Sequence, residues 1–169
     1  MIVLKVLVRF LIKFVDSLTA AIALMWALIS ALSIRKPEAP GTPSLGLVVF
    51  DSSYSWQRIR ERELEHAVIA RDSGGLFSHV WSIHPLVGAE DGKNIAEPIR
   101  ISELNDRHTF VEVSVTGGGG PSRFPWTRFA SSQARVFGYL RSLLRSGAVS
   151  VVRAGDPHFL GLIGYVCAR

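Results

Sequence analysis

The chain has 169 residues, 48% of them hydrophobic, with a mean hydropathy of +0.27 and a net charge of +5. That length suits one domain with an extension, and its single cysteine, Cys167, excludes an internal disulfide. The basic excess argues little for nucleic acid. Lys5, Arg9, Lys13, Arg35 and Lys36 against Asp16 and Glu38 place +3 of it in the first 44 residues, beside an apolar segment, which suits anionic lipid headgroups better than a DNA groove.

Ser17 to Ile34 is an uncharged run of 18 residues, about 27 Å long as a helix and just enough to span a hydrocarbon core. Ahead of it, Lys5, Arg9 and Lys13 recur at every fourth position and form one stripe on a helix, the pattern of an in-plane amphipathic helix. Residues 1–34 therefore read as a membrane-anchoring hydrophobic or amphipathic segment: a spanning anchor, a monotopic surface helix, or a helix buried in a soluble domain. The charged lead is long and interrupted, which disfavours a cleaved signal peptide. The charges flanking the run are too even to fix a topology. Residues 35–44 (RKPEAPGTPS) carry three prolines and a glycine and read as an extended linker. A domain then occupies residues 45–169.

Leu45–Phe50 (LGLVVF) is a continuous apolar run bounded by turn residues, expected to be a buried parallel strand. Residues 51–55 form a loop. Trp56–Arg71 reads as one helix, with Ile59, Leu64, Ala67 and Val68 inward and a solvated charged face, stopped by Gly74 and Gly75. Ser78–Ile83 is a second strand, residues 90–97 a polar loop, and the alternating Thr109–Val115 a third strand. Gly117–Gly120 breaks it; without a following Gly-Lys-Ser/Thr that glycine run is a loop rather than a phosphate cradle. Phe129–Arg145 has one apolar face, with Arg141 and Arg145 near its negative end and Gly147 as its cap. Ala148–Arg153 is a fourth strand, and Phe159–Arg169 opens a last helix. This order predicts an α/β fold: a Rossmann-like, doubly wound parallel sheet preceded by an N-terminal hydrophobic helix. In the strand order 3-2-1-4 a ligand would sit beyond the carboxyl ends of strands one and four, which singles out the loops after Phe50 and after Arg153.

Val151–Arg169 (VVRAGDPHFLGLIGYVCAR) resembles the end of the N-terminal domain in family 4-like glycosyltransferases of the GT-B fold: a strand, a turn bearing Asp156 and Pro157, and a small-residue-rich helix start at Leu160–Gly164. The stretch RERELEHAVIARDSGG is similar to that family's first helix. The resemblance runs from Leu45 to Arg169 and implies the acceptor-side half of a two-domain enzyme that moves a sugar from a nucleotide-sugar donor to a saccharide or lipid-linked acceptor. It also implies that the donor-binding C-terminal domain lies outside this chain, which would then be a truncated unit, inactive alone, or one that works with a complementary chain. The first loop departs from the family: it reads DSSYSW, with no glycine to approach the donor phosphates.

The residues this singles out for acceptor binding are Asp156, His158, Arg153, Ser52, Ser53 and Tyr54. Each has a plainer role: Asp156 before Pro157 as an N-cap, His158 as an exposed helix-start residue, Arg153 as a strand-end surface charge, and the loop hydroxyls as turn formers. No G-x-S-x-G elbow, no G-x-G-x-x-G after the first strand and no histidine ligand spacing occurs, so neither a cofactor nor a metal is expected. The expected setting is the cytoplasmic face of a membrane, with no nucleic-acid partner. The reading from another class is a membrane-tethered, non-catalytic α/β binding or interaction module.

Overall fold

The structure, a computed structural model, describes residues 2–32, 45–51, 54–72, 74–87, 97–115, 125–155 and 165. A long helix, α1 (Ile2–Leu32), precedes an α/β unit made of β1 (Gly46–Phe50), α2 (Trp56–Glu61), α3 (Glu65–Ile69) with a 3₁₀ turn (Ala70–Asp72), β2 (His79–Val87), β3 (Ile99–Asn105), β4 (His108–Ser114), α4 (Pro125–Arg145) and β5 (Val151–Ala154). The five strands form one sheet in the order β3-β4-β2-β1-β5. β1 pairs in parallel with β2 and β5, and β2 with β4, so the predicted 3-2-1-4 order holds for the four strands read from sequence.

Three expectations are corrected. The sheet is mixed rather than all parallel, because β3 adds an antiparallel edge strand paired to β4. The chain thus passes from β2 to β4 through a strand, and Asp106–Arg107 close a tight hairpin in which Asn105 Oδ1 accepts the Arg107 N–H at 2.9 Å. The helix expected over 56–71 is broken. Glu63 takes a left-handed φ of 56°, the Leu64 N–H reaches back to the Ile59 carbonyl and the Glu63 N–H to the Arg60 carbonyl. These are the two bonds of a Schellman stop, here built on a glutamate where glycine is usual. Ser55 caps the start of α2, its Oγ accepting the Arg58 N–H at 3.2 Å. The fourth strand is shorter than predicted and shifted to Val151–Ala154. The last predicted helix falls outside the described residues apart from Tyr165, which is helical.

One face of the sheet is apolar. Val48, Phe50, Ile83, Val111 and Val113 pack there against Val136 and Leu140 of α4, all essentially inaccessible. This is the apolar stripe read from the spacing of α4. The other face, under α2 and α3, holds two smaller clusters, Leu47–Val49–Val80 and Ile59–Val68–Phe110. Between and beyond them it is polar. Gly46 is required where β1 enters the sheet: a Cβ there would collide with the Ala148 carbonyl oxygen and stand 2.8 Å from the Trp81 ring.

α1 packs on α4. Asp16 is covered by the start of α4: its carboxylate accepts the backbone N–H of Trp126 at 3.1 Å, the N–H of Thr127 at 2.8 Å and the Thr127 hydroxyl at 2.7 Å. Burial works against this charge, but the Thr127 hydroxyl and the two amides outweigh it and hold the carboxyl below its ordinary pKa. Asp16 therefore caps the start of α4 from the neighbouring helix. Among the described residues no helix is long and apolar enough to cross a membrane.

Candidate functional site at the carboxyl edge of the sheet

Register places side chains of adjacent strands in rows across the polar face. One row close to the carboxyl edge comprises Asp51, His84, Glu112 and Arg100. His84 pairs with Glu112 and Glu112 with Arg100, while the Asp51 N–H bonds to the Ile83 carbonyl at 3.1 Å and so falls beside His84. A carboxylate, an imidazole, a second carboxylate and a guanidinium thus line the edge where parallel α/β sheets bind ligands. β2 is irregular at this point. Its register on β4 shifts between His84 and Val87, across Pro85, which has no N–H to donate to a ladder. Gln133 of α4 donates from Nε2 to the Pro85 carbonyl at 3.3 Å and ties the bulge to the helix.

Glu112 is the most informative member of the row. It is 5% exposed, and its Oε1 accepts the Trp56 N–H at 3.0 Å, at the first residue of α2. Its Oε2 is buried and has no hydrogen-bond partner among the described residues. Burial raises the carboxyl above its ordinary pKa, and the Trp56 amide and the Arg100 charge only partly offset that. Trp56 stacks on Phe110 at 5.0 Å between ring centroids, and His84 on the same ring at 4.3 Å. The carboxylate is therefore flanked by aromatic walls and by the positive end of a short helix.

A second network lies one row deeper. Arg71, in the 3₁₀ turn, forms an ion pair with Asp51 and donates from Nη1 to Ser82 Oγ at 3.0 Å. Ser82 Oγ stands 2.8 Å from His108 Nε2. Ser82 Oγ thus accepts from Arg71 and shares a hydrogen bond with His108, whose direction follows the imidazole tautomer. Burial first, then the positive charge of Arg71, pushes His108 down to about 4. Burial and the nearby Arg153 lower Arg71 to about 10, still charged at neutral pH.

Of the residues predicted from sequence, Arg153 lies in β5, paired in register with Val49 and exposed, where its charge is felt by Arg71. It therefore joins the polar face. Tyr54 is half-buried against the Ile59–Val68–Phe110 cluster, and its hydroxyl accepts from Arg62 Nη1 at 2.8 Å. The Arg58 and Arg62 guanidinium groups cover its ring at 5.1 and 4.7 Å, so Tyr54 is engaged by α2. Ser52, Ser53, Asp156 and His158 lie outside the described residues. Gly155 closes β5 onto the site: its N–H donates to the Phe50 carbonyl at 2.8 Å, and a Cβ there would stand 2.9 Å from that same oxygen.

Asp51 falls in the loop that strand order singles out, whereas His84, Arg100 and Glu112 are not marked by sequence reasoning. The available signal was a glutamate in mid-strand. Thr109–Val115 reads as an alternating strand, every residue of β4 is buried, and a glutamate in such a strand needs a reason. Among the described residues no group of three or more His, Cys, Asp or Glu side chains is arranged to hold a metal. No family model, no curated protein and no solved structure matches this chain.

Proposed function

We propose that this chain is the acceptor-side domain of a two-domain, GT-B type glycosyltransferase, and that transfer requires a donor-binding domain in addition to these 169 residues. The observation that carries the reading is the Asp51–His84–Glu112–Arg100 row, placed at the carboxyl edge beside the β1–α2 loop. A saccharide offers hydroxyl donors around an apolar ring face. Glu112 Oε2, an acceptor just beneath the surface without a partner among the described residues, would take such a hydroxyl once the edge opens to it, and the half-buried Trp56 provides aromatic surface next to it. In the resembling family this edge faces the acceptor, and closure on the donor domain excludes water. The proposed substrate is a saccharide or lipid-linked saccharide acceptor, with a nucleotide sugar as donor.

The test is binding by the full chain in detergent micelles, titrated with saccharides and lipid-linked saccharides, alongside Glu112→Gln. The expected result is weak acceptor binding that falls at least tenfold in the variant, with no turnover of any nucleotide sugar. Turnover by the chain alone would contradict the half-enzyme assignment. Binding unchanged in Glu112→Gln would remove Glu112 from the site. A second reading, a tethered non-catalytic module, draws on the Asp51–Arg71–Ser82–His108 network, which satisfies its own members as a structural spine does. It predicts no saccharide binding at all.

A further inference from the structure

The sides of α1 are chemically distinct. Asp16 and Ala20 are buried against α4, with Ile12 partly covered. Opposite them, Leu7, Leu11, Phe14, Leu18, Ile22 and Met25 follow one another at steps of three and four, and each is at least half exposed. At about 100° per residue this stripe is the far side of the helix from α4. It is also broad. Phe10 and Leu28 on one flank and Val8 and Trp26 on the other are exposed as well, so the apolar arc covers roughly 160°.

We infer that α1 is a membrane-docking helix that lies in the plane of an anionic bilayer, its outer stripe in the acyl boundary and the α/β unit carried on its α4 side. This does not rest on the glycosyltransferase reading. Three observations point to lipid as the occupant. The only acidic residue of α1, Asp16, is covered by α4, while Arg9 and Lys13 are exposed and Lys5 continues their spacing, so the uncovered charge is positive throughout and suits anionic headgroups. The arc is too broad for a coiled-coil seam with a second copy, whose flanking positions carry charge, and here the flanks are Val, Phe, Leu and Trp. A spanning orientation conflicts with the Asp16 cap: keeping it would hold Asp16, mid-helix, and the adjoining turn of α4 with Arg128 inside the hydrocarbon. A helix lying in the interface keeps the cap and buries the stripe together.

The geometry also sets which end of α4 is held by the middle of α1. α4 connects two parallel strands, β4 and β5, so it runs back against them and its first residue stands at the carboxyl edge of the sheet. Asp16 caps that end. The carboxyl edge, with Glu112 and Arg100, is therefore the end of the sheet nearest the α1–α4 contact at Asp16.

The experiment uses the full chain mixed with vesicles of phosphatidylcholine alone or with added phosphatidylglycerol, read by co-sedimentation. Leu18→Asp with Ile22→Asp, on the side away from α4, should reduce binding to both vesicles at least tenfold. Arg9→Gln with Lys13→Gln should weaken binding to the anionic vesicles on the order of tenfold and remove most of its salt dependence. Spin labels placed one at a time at Leu7, Leu18 and Met25, in a Cys167→Ser background, report depth without disturbing the packed side. Equal, shallow depths are expected. A depth gradient through the bilayer centre would overturn the in-plane placement in favour of a spanning helix. Loss of a dimer in Leu18→Asp with Ile22→Asp, with no vesicle binding by the parent chain, would assign the stripe to a second copy instead.

Discussion

Glu112 and His108 are both held away from their ordinary titration, in ways that give opposite pH dependences. Burial raises the Glu112 carboxyl above 4.5, so the folded state favours its protonated form. The stabilisation from that proton is complete below the ordinary pKa and is lost as pH rises through the raised value. At neutral pH the buried charge therefore opposes folding. Glu112→Gln keeps an oxygen for the Trp56 N–H and removes the charge. It should melt at a higher temperature than the parent at pH 7, with the difference closing toward pH 4.5, while losing the acceptor binding assigned to it. That combination, gained stability with lost function, is typical of sites that hold a strained group for a purpose. A lower melting temperature at pH 7 would show that the carboxylate charge is compensated in the fold. His108 behaves in reverse. Its pKa is depressed from 6.5 to about 4, so the unfolded chain takes up the proton first as pH falls. Its contribution is complete above pH 6.5 and is lost on acidification toward pH 4, on the order of 3 kcal/mol at most. Urea melts across that interval should show the decline, and His108→Gln should flatten it. An unchanged slope in that variant would mean that other groups carry the acid sensitivity.

At the scale of elements, the break after α2 makes a direct prediction. Glu63 occupies the left-handed position of a Schellman stop, where a side chain costs roughly 1 kcal/mol that glycine avoids. Glu63→Gly should raise stability by about 0.5 kcal/mol once the greater freedom of glycine in the unfolded chain is counted, measured as a shift in the urea midpoint. A loss of 1 kcal/mol or more would mean that the Glu63 side chain contributes through contacts of its own. The same break shows where the sequence is legible and where it is not. β1 and α4 are plain in the sequence because each buries one unambiguous pattern, a continuous apolar run and a helical stripe. The stop at Glu63 has no such mark, since its glutamate fits an unbroken charged face equally well. β3 is hidden for a related reason. As an edge strand it is only partly covered, Ile101 remains 53% exposed, and its alternation with Arg100 and Glu103 is too weak to separate from a loop. The candidate site was partly legible. Its location at the carboxyl edge follows from strand order alone. Its membership does not, because pairing His84 with Glu112 and Glu112 with Arg100 depends on register and on an edge strand that periodicity does not reveal.

For the whole molecule, the sheet has two unlike edges. β3 closes one edge as the outer arm of a two-residue hairpin, with seven residues held against β4. β5 closes the other with only four residues, paired on one side to β1 and alternating between exposed and half-buried. A short strand with one neighbour and little burial opens at lower free energy than a central strand with two. The candidate site straddles that difference: Glu112 stands on β4 and Asp51 directly follows β1, both in the sheet interior, whereas Arg153 and the adjoining Gly155 belong to the weak edge. One half of the candidate site is thus held by the sheet interior and the other by its weak edge, and under the two-domain reading proposed above the edge half would be the one to adjust on closure. Hydrogen exchange tests this in the full chain. Amides of Val48, Val49 and Phe50 should exchange with or close to global unfolding, and those of Val152 and Arg153 at least tenfold faster. Addition of a complementary donor-binding domain should slow the β5 amides selectively and leave β1 unchanged. Equal protection of β1 and β5 in the chain alone would show that the β5 edge is already covered, and the crevice would then have no compliant wall.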